Sequence, residues 1–393
     1  MTSLGTKRLE ARRDPLLTEK IVFSVGPQHP SLVAPVQLTI QCDGELMEQI
    51  TPNIGFMHRG VEYLAQRRPW DQLAPLLSRC EWIAGHNGDY LAAAAIEELA
   101  GIEVPQRALY LRTLVLELNR LVSHLYWFGD LGLELGTYTT IMWALRERET
   151  GVELLAQLSG NRYHHQWIVP GGVASEPPAG WLDSCAAYVR MVQPRIDSYE
   201  DFFSDNAIFV NRAELVGILD TEFALGSGAS GPVLRACGVA HDLRKDAPYA
   251  AYSELGVRIP VGDYGDSLDR YRVRFLEMRE SIRLVEECGG RLRAETGGTG
   301  VTAGVSLTGP HTGDDARAMH VPPGEAHIAI ESPRGELALT VISDGGETPA
   351  RVHLRGPSLY HIMLLPELCR GHLLADLFVI YASLDIMVGE VDR

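Results

Sequence analysis

The chain has 393 residues, 46% of them hydrophobic, and carries 51 Asp and Glu against 35 Lys and Arg, a formal charge of −16. That is enough chain for a large core or for two or three lobes, and the acidic balance argues against nucleic acid, whose phosphates reward basic patches, and gives no reason to expect direct binding to anionic lipid. No window reaches the roughly 18 consecutive apolar residues of a spanning helix and the charged first 15 residues lack a signal sequence's apolar core, so any membrane attachment is expected to run through a partner.

Residues 1–20 read as a loosely ordered tail, followed by strands over 21–25, 36–42 and 46–50. Val36, Leu38, Ile40 and Cys42 alternate with polar residues, and Asp43-Gly44 is a hairpin turn signal. Between the first two strands lies GPQHPS (26–31), in which Pro27 and Pro30 hold Gln28 and His29 in turn geometry. From about residue 60 the pattern turns helical. The segment 91–102 stops at Gly101, and Pro105 opens a helix that is apolar on most of its circumference. Residues 138–160 and 180–205 give two more long helices, the second with Pro194 as a candidate kink. Residues 206–266 are loop-rich, and 267–290 is again an amphipathic helix. The Gly/Thr-rich stretch 289–313 reads as a flexible loop. A three-stranded meander over 327–355 and short helices over 359–382 follow. The expected class is α+β: a tail (1–20), an N-terminal β region (21–60), a helical core (61–290), a Gly/Thr-rich loop (291–320) and a C-terminal meander with short helices (321–393).

Local chemistry yields candidates and no complete reaction. Cys42, Cys80, Cys185, Cys237, Cys288 and Cys369 include no CxxC pair and read as reduced, buried thiols, so no metal site is expected. GSGASG (226–231) matches GxGxxG in form, but Pro232 follows and no acidic residue stands at the ribose offset, so a turn is expected and no nucleotide. Arg79 lies in an apolar approach to a helix, where an arginine must be paired or face a charged partner. Glu134 is a lone carboxyl in an apolar stretch, where burial raises its pKa; a capping role is the plainer alternative. Of the adjacent His164 and His165, at most one faces any given site.

The ordered segments GPQHPS (26–31), NIGFMHRGVEYLAQRR (53–68), VPQRALYLRTLVLELNRLVSHL (104–125), RERE (146–149), SGNRYHH (159–165), SGPVLRACGVAHDLRKDAPYAAY (230–252), DRYRVRFLEMRES (269–281), RGELALTVISDGG (334–346) and the final LADLFVIYASLDIMVGEVDR together resemble the forty-nine-kilodalton (D subunit) family of respiratory complex I, the NADH-quinone oxidoreductase. That family is similar to the large subunit of the nickel–iron hydrogenases, which implies that fold. The metal pairs are missing: residues 79–84 read RCEWIA and 385–390 read DIMVGE, so a nickel–iron site is excluded on ligand count.

The resemblance implies a subunit on the cytoplasmic side of the membrane, peripheral and held by partners. Those partners are a small iron–sulfur subunit carrying the terminal 4Fe-4S cluster, a subunit of the thirty-kilodalton type and a quinone-channel membrane subunit. It implies quinone as substrate, no cofactor bound by this chain alone, NAD bound elsewhere in the complex, and coupling to proton translocation. Arg79 and His164 match positions beside the partner's cluster, where such groups raise its potential. Trp82, Glu134 and His29 are the candidates for the quinone pocket, His29 the most structural of the three. The sequence departs from the family at the chemistry. The family's second hairpin histidine is Val33, its aspartate partner is Glu134, its tyrosine donor is Trp82, and the arginine before PGGV is Val169. The glycine-rich loop is shorter and less helical than the family norm. Three readings follow: quinone reduction with altered donors, a complex-I-like assembly with another acceptor, or a structural subunit with a degenerate site.

Overall fold

A computed structural model describes residues 20–32, 34–204, 206–294 and 319–393. Val33, nearly all of the expected tail and most of the Gly/Thr-rich stretch lie outside the described residues. The N-terminal sheet is an antiparallel meander of Ile21–Val25, Gln37–Asp43 and Leu46–Asn53, hydrogen-bonded in chain order. Leu38, Ile40 and Cys42 of its middle strand face inward, as a period of two requires. At the start of the GPQHPS turn, Gly26 has φ +89, and a Cβ there would sit 2.1 Å from the Val36 carbonyl oxygen. Only glycine lets the hairpin close so tightly on the second strand.

The central helix, Gln106–Glu134, is the axis of the molecule. Pro105 precedes its first turn, where a missing N–H costs nothing. It packs against Tyr138–Ser159 and Ser267–Ala294, and the latter also packs on Trp181–Ser204, which contains Pro194. Gly101 and Gly160 end their helices in left-handed conformation. Ser267–Ala294 runs through Gly289 and Gly290, so the expected loop starts later than the sequence suggests. Arg291 and Arg293 hold this last turn by bonding Glu254 and Asp183 on neighbouring segments. The C-terminal meander, Gly324–Ser332, Gly335–Ser343 and Arg351–Arg355, is also antiparallel in chain order. A Cβ on Gly231 would meet the Gly335 Cα at 2.4 Å. The glycine of the GSGASG stretch thus serves a close backbone approach at the turn between Thr221–Gly226 and Gly231–Ala236.

The central helix departs from its apolar reading. Arg112, Glu117, Asn119, Arg120, Ser123 and His124 are buried on it together with its leucines. Burial is tolerable because each charge is paired. Arg112 forks onto Glu97 and the Gly172 carbonyl. Arg244 bonds Glu117 at 3.2 Å and Asp242 at 2.7 Å. Arg235 bonds Glu277 at 2.6 Å and Glu331 at 2.7 Å, and His124 Nε2 meets Glu277 at 3.1 Å. Burial alone raises a carboxyl's pKa, but in this network the arginines outweigh it. Glu117 and Asp242, the latter down to about 2, titrate below the usual carboxylate range, and Glu277 lies well below it. Glu331 is pushed up by burial, against Arg235.

Candidate functional site

The turn after the first strand forms an open hollow of about 360 Å³, lined by Pro27, His29, Pro30, Leu32, Ala34 and Pro35 among others. The His29 ring stacks on Phe378 at 5.4 Å, and its Nδ1 accepts the Ser31 amide at 3.1 Å. A neutral His29 therefore carries its proton on Nε2. Glu134, the last residue of the central helix, comes to the same turn, where the Ser31 hydroxyl donates to it. Its other oxygen is buried without a hydrogen-bond partner. Burial first and the charge of Asp130 second push its pKa up to about 8. The sequence-level expectation of a raised carboxyl is met, with a side-chain contact and no backbone cap.

Arg79, Trp82 and His164 gather on a second rim. Trp82 is half-buried, edge-on to Tyr126 at 6.0 Å and tilted against Tyr163 at 5.6 Å. Arg148 lies 5.5 Å from both tyrosine rings. His164 sits at φ +56 with Nδ1 unpartnered. Burial, and then the neighbouring Arg79, lower its pKa, so it is neutral at pH 7. Behind it His165 is buried and stacks on His86 at 4.3 Å, so one histidine of the pair faces the rim and the other the interior. Arg79 is exposed, its guanidinium bonds the Pro75 carbonyl, and among the described residues it forms no ion pair, which leaves the expectation that it faces a charged partner. The short helix before it is capped at Ser78, leaving its side chain outside the core. Arg59 donates to the Arg79 carbonyl at 3.0 Å. The segment bearing Arg59 is pinned by the Asp392 carboxylate, which accepts the Gly55 and Met57 amides at 2.7 Å each.

Between the two groups lies a set, part buried and part half-buried, that sequence reasoning does not reveal. Tyr126, Asp130, Arg334, Tyr381 and Asp385 line one small void together with Ile83, the residue after Trp82. Arg334 donates to Glu81 at 3.1 Å and to Asp385 at 3.0 Å. Ser358 donates to Glu390 at 2.7 Å. Burial, then the Asp385 charge, raise Asp130 to about 7. Burial, then Glu390, raise Glu81 to about 8, and burial raises Glu390 to about 7 against Arg334. Such a cluster of acids poised near neutrality is suited to holding and passing protons. Its one legible signal is that Asp130 stands four residues before Glu134 on the same helix face. Among the described residues no His, Cys, Asp and Glu group is arranged to hold a metal ion, and all six cysteines are free and buried.

Residues 134–393 match the family of the respiratory-chain NADH dehydrogenase 49 Kd subunit. The chain is 37% identical to the D subunit of NADH-quinone oxidoreductase from Bacillus cytotoxicus, over 95% of this chain and 99% of that one. It is 38% identical to the D subunit from Geobacillus thermodenitrificans, over 96% and 100%. The chain belongs to the 49 Kd subunit family. This family member also shares its fold with a chain of an archaeal respiratory membrane complex, the membrane-bound sulfane sulfur reductase, with a TM-score of 0.89, 35% identity, and coverage of 95% and 98%. Members of the 49 Kd family are components of multi-subunit respiratory complexes. No helix among the described residues of this one is long and apolar enough to cross a membrane.

Proposed function

We propose that this chain forms one wall of a quinone-reduction site in a complex-I-type NADH-quinone oxidoreductase coupled to proton translocation. The other wall is a small iron–sulfur subunit bearing the terminal 4Fe-4S cluster. The thirty-kilodalton-type subunit and the quinone-channel membrane subunit complete the surroundings on the cytoplasmic side, and NAD is bound elsewhere in the complex. The observation that carries the reading is Glu134: a carboxyl poised near neutral pH, anchored to the hairpin hollow through Ser31. A hollow of this size and mostly apolar lining suits a quinone headgroup. His29 offers an Nε2–H, Glu134 delivers a proton to a reduced headgroup oxygen, and the Trp82 indole N–H serves as a fixed donor that surrenders no proton. Exposed Arg79 and neutral His164 form a face with cationic and hydrogen-bonding character toward the partner's cluster, which favours its reduced state.

A second reading has a specific observation behind it. The structural likeness is to a chain of a complex that reduces sulfane sulfur, and this sequence has Val33 and Trp82 where the family resemblance leads one to expect histidine and tyrosine. One experiment divides the two. The purified assembly is supplied with electrons and offered short-chain quinone or polysulfide, as wild type and with Arg79→Ala or Trp82→Ala. Quinone reduction that falls in both variants is the expected result. Full quinone activity indifferent to both substitutions removes the site assignment, and turnover of polysulfide alone establishes the second reading.

A further inference from the structure

We propose that Asp130, Tyr381 and Asp385 hold one buried water, and that this water and Glu134 make an internal proton relay opening at the hairpin. The proposal rests on the quinone-reduction reading above. The void they line offers about 10 Å³ to the centre of a water molecule, room for one. Tyr381 is 3% exposed, yet its hydroxyl has no hydrogen-bond partner, and neither has Asp385 Oδ2. Buried polar atoms are rarely left bare, and a water reaching both supplies the missing bonds. A phenylalanine would fill the Tyr381 position without that cost.

The rest of the path is contiguous. Tyr381 lies within electrostatic reach of Asp130, Glu134 and Asp385 together. Asp130 and Glu134 follow one another at one-turn spacing on the central helix, and Glu134 touches Ser31 of the hairpin. The charged and titratable groups around Asp130 come from every packed element. Tyr126 and Glu134 share its helix, Arg334 comes from the meander turn, and Tyr381 and Asp385 come from Leu377–Leu384 and the residue after it. Arg274 acts on it at one remove, through Asp385. Asp130 is pushed up to about 7 and Glu134 to about 8 because burial disfavours their ionised forms, so at neutral pH Glu134 is mostly protonated and Asp130 is divided between its two forms, able to take up or release a proton.

The balance is simple. Quinone takes two electrons from the partner's iron–sulfur cluster and two protons to become the quinol. Glu134 gives a proton to a headgroup oxygen and is reprotonated from Asp130 through Tyr381 and the water. A second passage protonates the other oxygen, and Asp130 recovers both protons from solvent, so no acid is consumed. Asp130 and Tyr381 are relay residues and do not touch the quinone.

The test uses the assembled complex with Asp130→Asn and Tyr381→Phe, and Asp130→Glu as the conservative rescue. The expected result is a kcat for short-chain quinone lower by about a hundredfold in the first two. KM stays unchanged, the alkaline limb of the pH profile is displaced, and the profile is restored by Asp130→Glu. Infrared spectra without turnover are expected to show a protonated-carboxyl band at pH 6 that weakens in Asp130→Asn. A wild-type kcat and pH profile in both variants, or an infrared band indifferent to Asp130→Asn, overturns the relay. An assembly in which wild type reduces no quinone overturns the quinone reading instead, and the infrared comparison still decides whether Asp130 holds the proton. Should Asp130→Asn fail to assemble, Tyr381→Phe carries the same kinetic test, since it removes one hydroxyl and keeps the ring.

Discussion

Two clusters of buried charge lie along the same helix, and they are built on opposite principles. Near its middle, Arg120, Arg235 and Arg244 face Glu117, Asp242, Glu277 and Glu331 at ion-pair distances. There the arginines outweigh desolvation for most of the acids, which stay ionised. Near its end, Glu81, Asp130, Glu134, Asp385 and Glu390 have Arg334 beside them, which pairs with Glu81 and Asp385 alone, and desolvation wins for Glu81, Asp130, Glu134 and Glu390. The contrast separates a framework from a site. Charges that hold elements in register are compensated, whereas groups that must change protonation are left under-compensated.

The sharpest way to break the comparison is to remove a partner from the compensated cluster. Glu277→Ala takes one of three carboxylates from Arg235 and the partner from His124, and the loss of one member of a buried pair costs about 3–5 kcal/mol. Failure to assemble, seen by native gel and by thermal melting, is the expected outcome; a stable complex with wild-type melting removes the framework assignment. Glu134→Gln in the other cluster is expected to assemble normally and to lose about 10²–10⁴-fold in quinone reduction. Its melting curve is the control, since a large drop would make Glu134 a framework residue too.

The pH dependence of stability distinguishes the clusters next. Glu81, Asp130, Glu134 and Glu390 have raised pKa values, so the folded chain binds more protons than the unfolded one between about pH 4 and pH 8. Their contribution is complete at the acid end of that window and lost as pH rises through 7 to 8. Glu117, Asp242 and Glu277 are depressed, so theirs is present above about pH 4 and lost on further acidification. The melting temperature of the complex is expected to fall by a few degrees from pH 6 to pH 9, with a smaller fall in an Asp130→Asn, Glu134→Gln double variant. The smallest effect is expected at the rim, where Trp82→Phe keeps an aromatic ring beside Tyr126 and Tyr163 and loses the indole N–H with the second ring. A reduction of a few-fold in kcat/KM for quinone, at about the 1 kcal/mol worth of one hydrogen bond, is the expected reading.

What is legible in the sequence is local. Strand alternation in 36–42, the glycine stops at Gly101 and Gly160, and Pro105 as a helix start each depend on neighbours a few residues away. The buried polar stripe is hidden because its partners are distant: Arg120 bonds the carbonyls of Glu331 and Ser332, more than 200 positions on. A period that scores arginine as a break cannot see that pairing. Of the site residues, Glu134 is legible because an acid in an apolar run must be either satisfied or neutral. Asp130 sits in the same run, but the groups that make it matter, Tyr381 and Asp385, arrive only in the last turns of the chain. The apolar neighbours of Arg79 imply partial burial, although the helix end at Ser78 carries it out of the core.

The clamp of Asp392 on Gly55 and Met57 has a consequence in time. The two ends of that contact are 337 positions apart, and such long-range closure is slow to form. During synthesis the segment bearing Arg59, and through it the backbone at Arg79, stays unfixed until the residues near 390 have left the ribosome. The rim that faces the proposed iron–sulfur partner is thus among the last surfaces to mature. A nascent chain has no finished face to offer, so pairing with that partner waits for the segment bearing Asp392.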